Sequence, residues 1–219
     1  MKISKTEENY LKAVFSILEK GNASASTNAI SSKMQTSAAS VTDMVKRLAK
    51  KELVLHESHK GVRLTPSGEK VATMLVRKHR LWEVFLVEKL NFNWDEVHEM
   101  AEELEHIQSE EMINRLDDFL GNPRFDPHGD PIPDRSGKFT ERLQVILGEM
   151  QVGEQGTVVG VREHSTPFLQ YLNQLNLGLG TAIKILEKYE FDNSVKVLLE
   201  KTNEVVISGK VAQNIFLQK

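Results

Sequence analysis

The sequence contains no cysteine among its 219 residues. Disulfides and thiolate metal ligands are therefore excluded, and the absence fits a reducing compartment. The opening residues, MKISKTEENY, lack the long apolar run of a signal peptide. The run WEVFLVEKL at 82–90 is too short and too charged to cross a bilayer. From these absences we expect a cytoplasmic protein that has no membrane partner.

The net charge of −3 is small, but the charges are unevenly distributed along the chain. Between residues 33 and 63, seven lysines and arginines accompany three acidic residues. Between residues 95 and 118, ten acidic residues accompany a single arginine. Because charge patterning selects partners, the first region is suited to phosphates and the second to cations.

The first 64 residues carry the pattern of a winged helix-turn-helix. Apolar spacing predicts helices at about 3–19, 27–34 and 37–52, and two short β-type runs follow at 53–64. The third helix would present hydroxyl and basic side chains to a DNA major groove, with the wing beside it. An ordinary basic helix with a solvated face is the alternative. The predicted DNA-binding residues are Ser37, Ser40, Thr42, Asp43, Lys46, Arg47, Lys60 and Arg63.

A second kind of site is predicted from the acidic segment 96–109, which reads EVHEMAEELEHIQS. Its spacing would place two imidazoles and two carboxylates on one stripe of a helix predicted for 94–107. Such crowding of negative charge is costly unless a cation offsets it, although a solvated acidic face is the alternative. Nitrogen and oxygen donors suit Mn(II) or Fe(II), and they can also hold Zn(II). The stripe consists of His98, Glu102, Glu105 and His106.

The neighbouring segments complete the predicted organisation. A helix opened by Thr65-Pro66 and running to about residue 90 carries His79 and Glu83 one turn apart. The stretch 122–137, rich in Pro, Gly and Asp, predicts a loop in which we interpret His128 as a turn residue. Short β-type runs at 156–161, 182–186, 195–199 and 204–207, with a helix near 167–175, predict a small barrel.

Three segments resemble the diphtheria toxin repressor family: RKHRLWEVFL at 77–86, EVHEMAEELEHIQSEE at 96–111 and PHGDPIP at 127–133. The resemblance covers essentially the whole chain. It implies a mainly α protein with a small β module, in three domains. These are a winged helix-turn-helix at 1–70, a helical metal-binding and dimerisation domain at 71–145 and a C-terminal SH3-like barrel at 146–219. It also implies a homodimer that reads a palindromic operator on double-stranded DNA.

The resemblance further implies two metal sites. One corresponds to His79, Glu83 and His98, and the SH3-like domain can complete it from the positions matching Glu163 or His164. The second, activating site corresponds to Glu102, Glu105 and His106, plus Asn9 near the start of the first helix. Because the Asn9 amide brings no charge, Glu8 is an alternative fourth ligand.

Two positions depart from the family patterns in opposite ways. Glu102 stands where the iron-responsive branch has cysteine or a similar residue, and an added hard carboxylate favours Mn(II). Lys12 stands where the manganese-responsive branch has glutamate, so we expect two separated sites rather than a close two-metal cluster.

The resemblance thus implies a transcriptional repressor of metal-uptake genes that is activated by Mn(II), with activation by Fe(II) as the alternative. Two other classes are compatible with some of the residues. A winged-helix repressor governed by an organic ligand would bind DNA without regard to Mn(II). A metalloenzyme would turn over a substrate when loaded with metal, but no separate catalytic constellation accompanies the DNA-binding pattern. We therefore expect that the protein is not an enzyme.

Overall fold

A computed structural model describes residues 3–19, 21–57 and 61–219 of the chain. Lys60, one of the predicted DNA-binding residues, lies outside the described residues. The N-terminal elements are α1 (Lys5–Leu18), α2 (Thr27–Lys33), α3 (Ala38–Lys50), β1 (Val54–Glu57) and β2 (Gly61–Leu64). Three further helices follow: α4 (Pro66–Leu90), α5 (Val97–Leu104) and α6 (Glu110–Phe119).

The C-terminal part contains strands and short helices. A 3-10 turn at Leu147–Glu149 separates the first two strands. The elements are β3 (Val145–Ile146), β4 (Gln155–Val161), α7 (Thr166–Gln174), β5 (Ala182–Lys188), β6 (Val195–Leu199), β7 (Asn203–Ile207), α8 (Gly209–Ala212) and β8 (Ile215–Gln218).

Side-chain caps fix where the N-terminal helices begin. Ser4 and Glu7 form a capping box at α1, in which each side chain accepts a hydrogen bond from the other residue's backbone N–H. Ser37 Oγ accepts from the backbone N–H of Ser40, in the first turn of α3, at 3.1 Å. Thr65 Oγ1 caps α4 by accepting from Gly68 N at 3.0 Å, and Pro66 is the first helical residue.

The helix-turn-helix is built around one apolar core. Leu11 of α1, Ile30 of α2 and Leu48 of α3 are completely buried. The turn between α2 and α3 passes through Gln35, which adopts a left-handed φ of 49°. Strands β1 and β2 then form an antiparallel hairpin. The predicted order of helix, short helix, basic helix and hairpin is therefore present in the structure.

The chain divides into two compact units. The first contains the residues up to 79 together with 103–114 and 133–138. The second contains 80–102, 115–132 and 139–219. The second unit includes an antiparallel sheet with strand order β3-β8-β4-β5-β6-β7, whose inner side chains pack with those of α7 in a single apolar cluster.

Two sequence expectations about these elements need correction. The helix predicted for 94–107 is shorter, because α5 spans only Val97–Leu104. Strands β3 and β8 were not predicted, although β8 lies between β3 and β4 in the sheet. The four predicted runs of β-type sequence correspond to β4, β5, β6 and β7. Within the described residues, no helix is both long and apolar enough to span a membrane.

Candidate metal centre

Glu105 and His106 do not lie on a helical stripe, contrary to the sequence expectation. Because α5 ends at Leu104, both residues occupy the turn that follows it. This early end of α5 changes how much of the Glu105 side chain is buried. The Glu105 side chain is only 1% exposed, whereas Glu102 on α5 is 52% exposed. Leaving the helix therefore lets the chain bury a carboxylate that a surface stripe would have kept in solvent.

Glu105 belongs to the first unit and is held through one of its oxygens. Its Oε2 atom accepts from Lys12 Nζ at 2.6 Å and lies 2.7 Å from His79 Nδ1. Burial acts to raise the pKa of Glu105, but the hydrogen bond to His79 and the positive charge of Lys12 outweigh it. The pKa of Glu105 consequently lies below its ordinary value, so the buried group is a carboxylate near neutral pH.

His106 is oriented by Glu8 in the same unit. Its Nδ1 atom lies 2.7 Å from Glu8 Oε2, and Gln108 Nε2 donates to the other Glu8 oxygen at 3.1 Å. A carboxylate at Nδ1 favours the tautomer that carries its proton there, which leaves a lone pair on Nε2. That Nε2 atom is 4.0 Å from Glu105 Oε1. Glu8 therefore acts on His106 as an orienting group.

Asn9 supplies a further oxygen donor on α1. Its Oδ1 atom is buried and has no hydrogen-bond partner among the described residues. An unsatisfied buried amide oxygen costs free energy, so such an atom calls for a missing partner. A hard divalent cation accepts an amide oxygen as a ligand. Both oxygens of Glu8 already have hydrogen-bond partners, whereas Asn9 Oδ1 has none among the described residues.

The second unit contains another cluster of donors around Glu83. The Glu83 side chain is 3% exposed, and its two oxygens lie 3.4 Å from His98 Nδ1 and 3.6 Å from His128 Nδ1. Glu83, Asp126 and His128 are all buried, and one ligand atom from each lies within 4.8 Å of the others. His98 is about half exposed and also lies 3.7 Å from Glu102 Oε1 through Nε2.

Protons compensate the surplus negative charge of this second cluster. Burial acts to lower the pKa of His128, but its hydrogen bond with Glu83 and the nearby acidic charges raise that pKa to about 9. Burial and the charge of Glu83 raise the pKa of Asp126, against the opposing charge of Arg80. A metal ion that binds these donors must displace their protons, so its affinity for the cluster should rise with pH.

The sequence interpretation missed Asp126 and His128 as candidate ligands. His128 does lie in a turn, as predicted, but its ring is 2% exposed and points its Nδ1 atom toward Glu83. Its Nε2 atom lies 2.8 Å from Trp94 O, which fixes the ring from the other side. The available signal was Asp126-Pro-His128, an acid and an imidazole two residues apart in the loop.

The two candidate ligands from the C-terminal part lie in different settings. The His164 ring stacks on the His128 ring at a centroid distance of 4.8 Å, and His164 Nε2 lies 3.2 Å from Val161 O. Burial lowers the pKa of His164. Glu163 is exposed and accepts from Ser165 N at 2.9 Å, just before α7 begins. His164 therefore adjoins the second cluster through its ring.

The predicted DNA-reading face of α3 is accessible. Asp43 and Lys46 expose 71% and 65% of their side chains and lie 3.8 Å apart. Arg47 and Arg63 are also exposed. Thr42 is half-buried, and its hydroxyl donates to Ala38 O at 2.9 Å, while Ser37 and Ser40 are exposed at the start of the helix.

Three family models match successive parts of the chain. Residues 2–62 match "Iron dependent repressor, N-terminal DNA binding domain". Residues 65–134 match "Iron dependent repressor, metal binding and dimerisation domain". Residues 145–219 match "FeoA domain". The predicted fold class, mainly α with a winged helix-turn-helix and a C-terminal SH3-like module, is confirmed.

Known proteins resemble the chain over different lengths. A solved structure titled "Manganese-dependent transcriptional repressor complex with manganese" is 33% identical, with a TM-score of 0.86, covering 96% of this chain and 98% of that one. The iron-dependent repressor IdeR of Mycobacterium leprae is 34% identical over 128 residues, which are 58% of this chain and 55% of IdeR. A "Probable metal transport system membrane protein" of Chlamydia trachomatis is 46% identical over 91 residues, which are 42% of this chain and 20% of that protein.

The matches to these two curated relatives span about half of IdeR and a fifth of the Chlamydia protein. The match to the solved manganese-dependent repressor, in contrast, extends over nearly the full length of both chains. Together with the repressor domain models, this full-length similarity shows that the chain belongs to the diphtheria toxin repressor family of metal-dependent transcriptional repressors.

Proposed function

We propose that this protein is a homodimeric repressor that binds a palindromic DNA operator when a divalent ion is held by Asn9, Glu105 and His106. Participation of Glu102 in this site remains a prediction from the family resemblance. Metal-uptake genes are the proposed targets, and Mn(II) is the proposed ion, with Fe(II) as the alternative. The observation that carries the proposal is the buried group of Glu8, Glu105 and His106 in the first unit, which we call the first pocket. It joins α1 of the DNA-binding module to the turn after α5. The matched DNA-binding and dimerisation domains support the two partners.

The described donors fit a divalent ion. Two ligand atoms on one ion, each bound at about 2.1 Å, lie no more than about 4.2 Å apart. The separation of 4.0 Å between His106 Nε2 and Glu105 Oε1 meets this limit. Asn9 Oδ1 adds a buried oxygen whose hydrogen-bonding capacity is unused among the described residues. A bound ion would supply the positive charge that this set of oxygen and nitrogen donors is suited to share.

The chain's own residues connect this pocket to DNA binding. Asn9 lies on α1, and α1 packs against α2 and α3 in the helix-turn-helix core. Glu8 holds the His106 ring in the orientation that presents Nε2. A conformation in which α1 is tied to the turn at Glu105 and His106 would be favoured over other positions of α1, and ion binding and operator binding would strengthen each other.

The preference for Mn(II) is supported by the type of donor. Glu102 adds a hard carboxylate oxygen where a thiolate would favour a softer ion, and the sequence has no cysteine. Relatives named as manganese-dependent and as iron-dependent repressors both occur among the similar proteins, so Fe(II) is the second candidate. Metal selectivity also depends on availability in the cell, which leaves the choice to direct measurement.

We propose a second ion site in the other unit, formed by Glu83, Asp126 and His128. Its support is the burial of all three residues and the separation of at most 4.8 Å between their ligand atoms. His98 and His164 lie beside this site, because His98 contacts Glu83 and His164 stacks on His128. Participation of His79 and Glu163 remains a prediction from the family resemblance.

The test is a titration of DNA affinity with metal. Duplexes selected from a random pool in the presence of Mn(II) would serve as the operator, and fluorescence anisotropy would follow their binding to metal-free protein titrated with Mn(II), Fe(II) or Zn(II). We expect tight binding only with the correct ion. Glu102→Ala should lose most of the metal-induced affinity, whereas Glu103→Gln, a change at an exposed neighbour, should not. Equal DNA affinity with and without metal would contradict the proposal and favour a repressor governed by another ligand.

A further inference from the structure

A lysine side chain enters the proposed activating pocket. Lys12 lies on α1, one turn after Glu8, and its side chain is only 17% exposed. Its Nζ atom lies 2.6 Å from Glu105 Oε2 and 3.1 Å from His79 Nδ1. The same Glu105 oxygen is 2.7 Å from His79 Nδ1. The ammonium group of Lys12, the imidazole of His79 and Oε2 of Glu105 therefore all contact one another in the first unit.

The two oxygens of Glu105 have different surroundings. Oε2 is occupied by Lys12 and His79, whereas Oε1 is the oxygen that lies 4.0 Å from His106 Nε2. A carboxylate can bridge two cations, one through each oxygen. Here one of the two positions is already taken by the ammonium group of the protein itself.

A buried charge requires compensation, and Lys12 provides it to Glu105 whether or not a metal is present. Like charges repel strongly at short range inside a protein, so a divalent ion next to the ammonium group would bind weakly or not at all. An ion at Oε1 is farther from Lys12 than an ion at Oε2 would be.

We propose that Lys12 is a resident cation that takes the place of a second divalent ion at Glu105, so that this pocket holds one ion and holds it less tightly than the bare donors would. This inference rests on the proposed function, because it assumes that Glu105 and His106 bind a metal. It makes Lys12 a determinant of both the number of ions bound and the metal concentration at which the repressor responds. An ion pair with a purely structural role would affect neither.

The first test changes the sign of this charge. Lys12→Glu should bind one more Mn(II) per chain than the wild type, counted by electron paramagnetic resonance of the free ion during titration. The two neighbouring ions should also give an exchange-broadened spectrum. Lys5→Glu makes the same change of charge at an exposed position of the same helix, and it should bind the wild-type number of ions. An unchanged ion count in Lys12→Glu would overturn the inference.

The second test keeps the pocket closer to its native form. Lys12→Gln retains a hydrogen-bond donor and removes the charge, so its single ion in this pocket should bind at least about tenfold more tightly than in the wild type. Lys5→Gln should show no change. Equal or weaker binding in Lys12→Gln would overturn the inference even if Lys12→Glu does not fold.

The same titrations separate this inference from the proposed function. If Glu105→Ala binds as many ions as the wild type, the pocket is not a metal site, and both the proposed function and the inference are wrong. If Glu105→Ala loses one ion while the two Lys12 variants behave like the wild type, the inference alone is wrong.

Discussion

The two donor clusters of this protein compensate their buried negative charge in different ways. Around Glu105, the negative charge is compensated by Lys12, and the pKa of Glu105 lies below its ordinary value. Around Glu83, two further titratable groups, Asp126 and His128, have raised pKa values. One cluster contains a fixed cation, whereas the other depends on protons that a metal can displace.

The difference indicates that the two clusters respond to different variables. The carboxylate of Glu105, which Lys12 compensates, is already ionised near neutral pH, so it need not release a proton before an ion binds. A cluster that holds protons must release them before it binds a metal, so its metal affinity rises with pH.

The largest effect is expected for Glu105→Ala. The substitution removes a buried ligand and leaves Lys12 and His79 without their shared carboxylate, so operator affinity in the presence of Mn(II) should fall by more than about a hundredfold. Glu103 is an exposed glutamate two residues before Glu105, and the operator affinity of Glu103→Gln should remain within about threefold of the wild type. Anisotropy titrations with selected duplexes provide the measurement, and similar losses in both variants would contradict a specific role for Glu105.

Opposite pH dependences are expected for the two clusters in the metal-free protein. The lowered pKa of Glu105 gives stability that is present above its unfolded value near 4.5 and is lost as the pH falls through the folded value. The pKa of His128, raised from 6.5 to about 9, gives stability that is present below pH 6.5 and is lost as the pH rises through 9. The raised pKa of Asp126 acts in the same direction as that of His128.

The alkaline loss attributable to His128 should be about 3 kcal/mol, since each unit of pKa shift corresponds to about 1.4 kcal/mol. Thermal unfolding from pH 3 to pH 10 would measure it, and His128→Gln should flatten the alkaline side while leaving the acid side unchanged. An identical alkaline slope in the wild type and His128→Gln would show that other groups control that range.

A smaller effect is expected for Glu8→Gln. The variant keeps the size of the side chain but removes the carboxylate that orients His106, so Mn(II) affinity in the first pocket should fall by about tenfold. Isothermal titration calorimetry with Mn(II) would measure the change, and Glu52→Gln, at an exposed residue outside both clusters, serves as the control. If Glu8 were itself a ligand, the loss of Mn(II) affinity in Glu8→Gln would approach the loss of Mn(II) affinity in Glu105→Ala.

The smallest change in operator affinity is expected for Glu83→Gln. It should remove one bound ion per chain and lower the pKa of His128, because Glu83 is the chief group that raises it. DNA affinity should decrease only several-fold, since the first pocket with its link to α1 remains intact. NMR titration of the His128 ring and an ion count would test both effects, with Glu88→Gln on the exposed end of the same helix as the control.

Local sequence patterns predicted the winged helix-turn-helix, with its two strands, and four strands of the C-terminal sheet, because these elements follow from apolar spacing and capping residues. The buried faces of α1 and α3 repeat at helical intervals, and Ser37 and Thr65 cap the helices that they precede. Strands β3 and β8 carry short sequences with little alternation, and their positions depend on pairing with each other and with β4. Such pairing joins residues that are distant in the sequence.

The metal-binding residues were predictable by type but not by environment. Helical spacing identified Glu105 and His106 as candidate ligands, but it did not predict that α5 ends before them. The contact between Lys12 and Glu105 joins residues 93 positions apart. The cluster of Glu83, Asp126 and His128 likewise brings α4 together with a loop that is distant in the sequence. Tertiary packing, which no local pattern records, decides which donors lose their water.

The capping box of α1 also contacts the residue that directly follows α3. Glu7 receives the ammonium group of Lys51, directly after α3, at 2.7 Å, and this contact outweighs the effect of burial and lowers the pKa of Glu7. Glu7 immediately precedes Glu8 and Asn9, so the contact with Lys51 and the residues of the first pocket lie within a single turn of α1. A shift of α1 would therefore move the first pocket and the Glu7–Lys51 contact together. A change at the proposed metal site would then be transmitted to α3 as a rigid-body movement of α1.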